Sequence, residues 1–164
     1  MRGLLASLVV IAHGLLGAAP ARADAAAIAG RWSAETTSGR VELLVEPAGR
    51  AVTLRLRLGG RPLFDASFAP TERAGVFEAA ATGLFAMLGS RRAPANPLEG
   101  EELVWARELP AGLAVSRLAI DAGKPVIERA RLERVGERIG LRLERLEGER
   151  MRIELEAELA RGAR

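Results

Sequence analysis

The chain lacks or nearly lacks several side chains on which protein chemistry depends. Its 164 residues include no cysteine, no tyrosine and a single histidine, His13. Without cysteine the chain can form no disulfide and offers no thiolate to a metal. His13 lies in a segment that we expect to be removed, so the mature protein also lacks imidazole ligands and histidine-dependent triads. We therefore predict no metal site, no cofactor and no enzymatic activity.

Other routes to catalysis have little support. The serines, the threonines and the sole lysine, Lys124, have no histidine to activate them as nucleophiles. Two carboxylates alone can hydrolyse a glycoside, and Asp65 and Glu78 are one such pair, but their spacing does not require it. An enzyme ranks last among the functional classes that we consider.

Excess charge of one sign is also missing. Lysine and arginine total 24 against 21 aspartate and glutamate, a net charge of +3. Arg2 and Arg22 leave with the predicted signal, so the mature balance is 22 − 21, or +1. Nucleic-acid binding needs clustered positive charge, so no nucleic-acid partner is expected.

The N-terminal segment has the three parts of a secretory signal. Arg2 is followed by an almost wholly apolar run, Leu4–Leu16, and then by the small-residue cleavage pattern Ala21-Arg22-Ala23. The apolar run is shorter than the roughly 20 residues of a membrane-spanning helix. We predict a signal peptide over 1–23, a periplasmic or secreted protein, and no membrane span after cleavage.

Apolar and polar residues alternate with period two along the mature chain, as is typical of strands. All ten residues of Arg150–Leu159 alternate, and Val52–Leu58 and Ile139–Leu143 do so as well. Further strand patterns cover 30–36, 41–46, 62–69, 75–80, 102–109, 113–120 and 126–134. Tight Gly- and Pro-containing turns separate these runs and favour antiparallel neighbours. We predict one all-β domain over 24–164, an up-and-down meander of about ten strands that forms a barrel or half-barrel.

The apolar face of these strands predicts the barrel interior. Aromatic residues make up only 4% of the chain, whereas a membrane barrel would carry aromatic girdles on its outer surface. A barrel with an apolar interior and an outer surface rich in Arg and Glu fits better. The predicted inward side chains are Leu54, Leu56, Phe64, Phe68, Phe77, Leu141, Leu143, Ile153 and Leu155.

One segment, 81–100, interrupts the meander. Its apolar stretch Leu84–Leu88 predicts a short helix between strands five and six, which would serve as a plug or as a lid. Phe85, Met87 and Leu88 are therefore candidate ligand contacts. Arg91 and Arg92 follow, and they would either meet an anionic head group or simply be solvated.

The first strand begins with Gly30-Arg31-Trp32, which resembles the G-x-W start of the lipocalin and calycin barrels. The resemblance implies that Trp32 closes one end of a barrel. It also implies that a small apolar molecule is held in the barrel mouth.

A second tryptophan shares a strand face with a cation. Trp105 and Arg107 are two residues apart, and if that face points inward Arg107 is an interior cation that needs an acid or a ligand carboxylate. Glu128 is the predicted acid. The alternatives are a satisfied Arg–Glu pair or a register in which both residues face solvent.

Two functions remain open. The first is an exported carrier or sensor that binds a small apolar or anionic amphiphilic molecule inside its barrel. The second is an accessory protein of the envelope, with a barrel filled by its own side chains and a surface that binds another protein. The small number of aromatic residues available to fill the interior favours the first.

Overall fold

The computed structural model describes residues 25–80 and 95–162. They form a closed barrel of ten antiparallel strands, in which each strand pairs with its neighbours in sequence and β1 closes on β10. The strands are β1 (Gly30–Thr36), β2 (Gly39–Ala48), β3 (Ala51–Leu58), β4 (Arg61–Pro70), β5 (Val76–Ala79), β6 (Leu103–Leu109), β7 (Gly112–Asp121), β8 (Lys124–Val135), β9 (Arg138–Glu147) and β10 (Arg150–Arg161). The predicted all-β meander is confirmed, and the barrel is closed.

Helical structure in the described residues is limited to two short 3₁₀ helices, Ala25–Ile28 and Pro97–Glu99. The second lies between β5 and β6. The Asn96 side chain accepts a hydrogen bond from the Leu98 N–H at its start, and Gly100 ends it with a positive φ of 85°. The helix predicted over Leu84–Leu88 lies outside the described residues.

Neither of these helices has the length and apolar character needed to cross a bilayer.

The two ends of the barrel differ, and the registers identify them. The terminal end holds the helix Ala25–Ile28, residue Gly162, and the turn between β8 and β9. Ile28 is fully buried there, and the Arg134 guanidinium donates to the Ala27 carbonyl at 3.0 Å. The distal end holds the turns β1–β2, β3–β4, β7–β8 and β9–β10. The long connection from β5 to β6 also leaves and returns at the distal end.

The interior is built from alternate residues of every strand, as the period-two pattern predicts. Leu54 and Leu56 on β3 are fully buried, as are Phe68 on β4 and Leu132 on β8. Phe64, Phe77, Leu141, Leu143 and Leu155 belong to the same cluster. The inward positions predicted from the sequence are therefore occupied as expected, with one exception.

The exception is Ile153, whose predicted inward position is wrong. The β9–β10 register shifts between Ile153 and Leu155, so a bulge inserts one residue into β10. Beyond such a bulge the two faces of a strand exchange. Leu155 and Leu159 are buried, whereas Ile153 and Met151 are 50% and 59% exposed on the outer surface. Perfect alternation in the sequence does not reveal the extra residue.

Candidate ligand site inside the barrel

Trp32 closes the terminal end of the barrel. It lies on β1 and is buried, and its indole N–H donates a hydrogen bond of 2.9 Å to the Ile28 carbonyl. The Arg161 guanidinium lies over the ring, 5.6 Å from its centroid, where a cation–π contact is favourable. The placement of Trp32 is thus the one that the G-x-W resemblance implies. The contacts of Trp32 with Ile28 and Arg161 both lie at the terminal end of the barrel.

Three charged side chains lie together inside the opposite, distal end. Arg117, Glu128 and Arg145, hereafter the distal cluster, occupy directly paired positions on β7, β8 and β9. Each continues a series of inward side chains at a spacing of two residues: Leu113 and Val115 precede Arg117, Val126 precedes Glu128, and Leu141 and Leu143 precede Arg145. Strand alternation therefore turns all three charged groups into the barrel.

One carboxylate in the distal cluster serves two guanidinium groups. Glu128 Oε2 accepts a hydrogen bond from Arg117 Nε at 3.1 Å and contacts Arg117 Nη2 as well. Glu128 Oε1 accepts from Arg145 Nη1 at 3.0 Å. The Arg117, Glu128 and Arg145 side chains are 27%, 26% and 30% exposed. The cluster is therefore partly withdrawn from water but is still reachable from it.

Two further acids lie at the rim around the distal cluster. Glu102 Oε2 is 3.5 Å from Arg117 Nη1, and Asp121 Oδ2 is 3.4 Å from Arg145 Nη2. The side chains of both acids are more than half exposed, so water screens these longer pairs. Glu128 is the only acid of the described residues that binds both arginines.

The guanidinium of Arg117 stays charged. Burial lowers the pKa of Arg117, but the hydrogen bond with Glu128 and the charges of Glu128 and Glu102 outweigh burial. The pKa of Arg117 therefore lies above its ordinary value. A fixed cation is thus held at this end of the interior.

The layer directly below the distal cluster is apolar. Val115, Ala130 and Leu143 occupy the next inward positions on the same three strands and are paired with one another. Across the barrel, the Arg117 guanidinium lies 5.6 Å from the centroid of the Phe64 ring on β4. Strand β7 is not adjacent to β4, so this contact crosses the interior. The site has a charged layer above an apolar one, an arrangement that suits an amphiphilic molecule.

Trp105 and Arg107 are not part of this site. On β6 the inward residues are Val104 and the fully buried Ala106, so Trp105 and Arg107 face outward. Arg107 is exposed, and the partners of Glu128 are Arg117 and Arg145. Of the alternatives for Arg107, the interior position and the pair with Glu128 are therefore wrong, and Arg107 faces solvent. The sequence pattern did not define which face of β6 is inward.

The remaining predicted contacts cannot be placed in this site. Phe85, Met87, Leu88, Arg91 and Arg92 lie outside the described residues. Arg117 and Arg145 were missed, although the sequence contains a signal for both. Each extends an apolar alternating series, Leu113-x-Val115-x-Arg117 and Leu141-x-Leu143-x-Arg145, so each is a charge at a position expected to face inward.

A closed barrel of ten antiparallel up-and-down strands defines the class of this protein at the level of the fold. That architecture is consistent in general with lipocalin- and calycin-like barrels. Comparison of the chain with protein-family models, curated proteins and solved structures finds no match.

Proposed function

We propose that this protein is an exported barrel that binds a small amphiphilic molecule with an anionic head group. The head group would bind at the distal cluster, and the apolar part would extend among the interior side chains. The observation that carries this proposal is the pair of inward arginines, Arg117 and Arg145, which share one carboxylate directly above an apolar layer. Export is inferred from the predicted signal at 1–23.

The chemistry of the arginines supports an anionic head group. A guanidinium has five N–H donors in a planar fork that matches carboxylate and phosphate. Glu128 and Glu102 together engage three of the five N–H groups of Arg117, and Glu128 and Asp121 engage two of the five of Arg145. Two N–H groups of Arg117 and three of Arg145 therefore remain for a ligand anion. Charge-assisted hydrogen bonds to a ligand anion are stronger where water is partly excluded.

The apolar interior supports a ligand with a hydrocarbon part. Alternate residues of all ten strands present apolar side chains inward, and burying a methylene group among them is worth about 0.8 kcal/mol. Strand β1 begins with Gly30-Arg31-Trp32, and Trp32 lies at the terminal end of the barrel. Both features support the proposal that the chain is a lipocalin- or calycin-like barrel.

The test compares dodecanoate with dodecanol, which share an alkyl chain and differ in head-group charge. Isothermal titration calorimetry of the purified protein is expected to show that dodecanoate binds more tightly by about tenfold, or about 1.4 kcal/mol. Native mass spectrometry of the protein purified from its own compartment would in addition reveal any resident ligand as an adduct lost on denaturation.

Variants at the distal cluster separate head-group recognition from general apolar binding. Arg145→Gln should reduce the preference for dodecanoate, because only Arg117 then remains for the head group, and leave dodecanol binding unchanged. Arg107→Gln is the matched control, because Arg107 is exposed on the outer surface. Absence of binding by both molecules, or equal losses in the two variants, would contradict the proposal.

A further inference from the structure

The bulge in β10 determines which side chains of its first half point into the barrel. Leu155 is directly paired with the inward Leu143, whereas Ile153 is directly paired with Glu144 on the opposite face of β9. Unbroken alternation from Leu155 would have turned Ile153 inward and Arg152 outward. Because of the bulge, Arg152 lies on the inward face instead.

This exchange of faces does not serve apolar burial. Met151 and Ile153 are 59% and 50% exposed on the outer surface, so the stability that their burial would give is forgone. Bulges are common at the rims of barrels and next to functional sites, where they re-aim a side chain. The side chains that this bulge turns inward, Arg150 and Arg152, are therefore candidates for a functional role.

Arg152 extends the distal cluster onto β10. It is directly paired with Arg145, and directly paired residues of neighbouring strands lie on the same face of the sheet. The paired inward positions of β7, β8, β9 and β10 thus carry Arg117, Glu128, Arg145 and Arg152 in that order. Three arginines share this row with one acid.

Arg152 has no acid partner among residues 25–80 and 95–162. The acids that bind Arg145 are Glu128 on β8 and Asp121 on β7, and both strands lie on the side of β9 away from β10. Two cations directly opposite each other on neighbouring strands are unfavourable. An anion held between Arg145 and Arg152 would relieve this repulsion.

The space beside Arg152 is open to a ligand. Glu147 is directly paired with the buried Val126, and Arg150 with Glu147, so these side chains belong to the inner side of the rim. A groove of about 650 Å³ lies there, lined by Lys124, Glu147, Gly148, Glu149, Arg150 and Arg152. Apart from Arg152, this lining has two cations and two acids, so Arg152 supplies its excess positive charge.

We infer that Arg152 is a further head-group residue and that the head group is a phosphate monoester. This inference rests on the proposed function. In the part of the chain that the structure describes, three N–H groups of Arg145 and all five of Arg152 are left for a ligand. A carboxylate offers two oxygens, whereas a phosphate monoester offers three terminal oxygens and about −1.5 to −2 charges at neutral pH. Of the two anions, the phosphate therefore matches a pair of adjacent guanidinium groups better.

Isothermal titration calorimetry with dodecyl phosphate, dodecanoate and inorganic phosphate tests the inference. The protein should bind dodecyl phosphate at least about tenfold more tightly than dodecanoate. Arg152→Gln should remove this preference, because it weakens dodecyl phosphate more than dodecanoate. Arg107→Gln is the control, since Arg107 is exposed on the outer surface, and it should leave both affinities unchanged. Inorganic phosphate should bind more weakly than dodecyl phosphate because it has no apolar part.

The ionisation of the bound phosphate gives a readout that a purely structural role of Arg152 would not move. Cations beside the head group favour its dianion, so the second pKa of dodecyl phosphate, about 6 in water, should fall on binding. Phosphorus NMR over a pH series measures this fall, and Arg152→Gln should make it smaller.

The outcomes separate this inference from the proposed function. Equal affinities for dodecyl phosphate and dodecanoate, a preference that survives Arg152→Gln, or an unchanged second pKa on binding would overturn the inference and leave the proposed function standing. Equal affinities for inorganic and dodecyl phosphate, both weakened by Arg152→Gln, would support Arg152 as a phosphate contact and contradict the amphiphilic ligand. Absence of binding by all three molecules would overturn both.

Discussion

Glu128 is the residue on which the distal cluster depends. Its carboxylate binds two guanidinium groups that strand alternation directs into the barrel. Without it, the two cations on β7 and β9, the strands on either side of β8, would lie in a partly desolvated space without their shared carboxylate, and an unmatched charge there is costly. The same side chain therefore stabilises the barrel and fixes the positions of both guanidinium groups at its distal end.

Glu128→Ala is expected to lower the free energy of unfolding by roughly 2 kcal/mol, between the values for exposed and buried ion pairs. Urea denaturation followed by circular dichroism measures the change. Glu158→Ala is the control, because the Arg138–Glu158 pair is well exposed on both sides and should contribute less than about 1 kcal/mol. Equal losses in the two variants would show that Glu128 has no special role.

The contribution of Arg117 to stability should not vary near neutral pH. Burial lowers the pKa of Arg117, but its acidic partners raise it further, so the folded-state pKa exceeds the unfolded one. Stability from such a group is fully present below the unfolded-state pKa and is lost only as pH rises through the folded-state pKa. Both values are strongly alkaline. The stability difference between the unaltered protein and Arg117→Gln should stay constant from about pH 6 to about pH 10. Urea denaturation at each pH measures this stability difference. A difference that shrinks between about pH 6 and about pH 10 would contradict the raised pKa of Arg117.

At the scale of single elements, the hairpin from β6 to β7 depends on a glycine in close contact with the next strand. A Cβ at Gly112 would lie 1.8 Å from the Leu132 carbonyl oxygen on β8, a distance that no side chain can occupy. Gly112 begins β7 and is paired with Leu109 and Glu133. The absence of a side chain therefore sets how closely three strands approach.

Gly112→Ala should cost roughly 3 kcal/mol or more of unfolding free energy, since backbone of β7 or β8 must move to accept the methyl group. Gly49→Ala is the comparison. Gly49 has a positive φ of 63° but open space around it, so only backbone strain of about 1 kcal/mol is expected. Thermal unfolding of both variants tests whether Gly112→Ala destabilises the protein more than Gly49→Ala does. A smaller loss of stability for Gly112→Ala would contradict the close contact between Gly112 and β8.

The strands were readable from the sequence because each buries one face and exposes the other. The alternation in Val52–Leu58 gives β3 almost to the residue. The interior charges were harder to read, since a pattern shows two faces without saying which is inside. The tryptophan at Trp105 suggested that its face of β6, which includes Arg107, is buried. The inward residue is instead the smaller Ala106 on the other face. The β10 bulge is invisible in the sequence, because Met151 and Ile153 match the buried series in type and spacing.

At the scale of the whole molecule, the barrel is closed by a short seam. Strands β1 and β10 are paired only at Trp32 with Arg161 and Ser33 with Ala160, and the Gly162 N–H donates to the Arg31 carbonyl at 2.9 Å. By contrast, β8 and β9 are paired at every position from Val126 to Val135. The contact of Arg161 with the Trp32 ring reinforces the seam from the terminal end.

The seam should therefore be the place where the barrel opens first. Local opening requires fewer hydrogen bonds to break there than within the β8–β9 hairpin, and amide exchange reports that difference. The amide of Gly162 is expected to exchange at least about tenfold faster than those of Ala130 and Leu141, corresponding to about 1.4 kcal/mol. Hydrogen exchange followed by NMR measures the rates.

Arg161→Ala should speed exchange at Gly162 further and leave the β8–β9 amides unchanged, because it removes the cation from the Trp32 ring without altering that hairpin. Uniform protection around the barrel would mean that it opens only by global unfolding, with the β1–β10 seam as stable as the longer ladders.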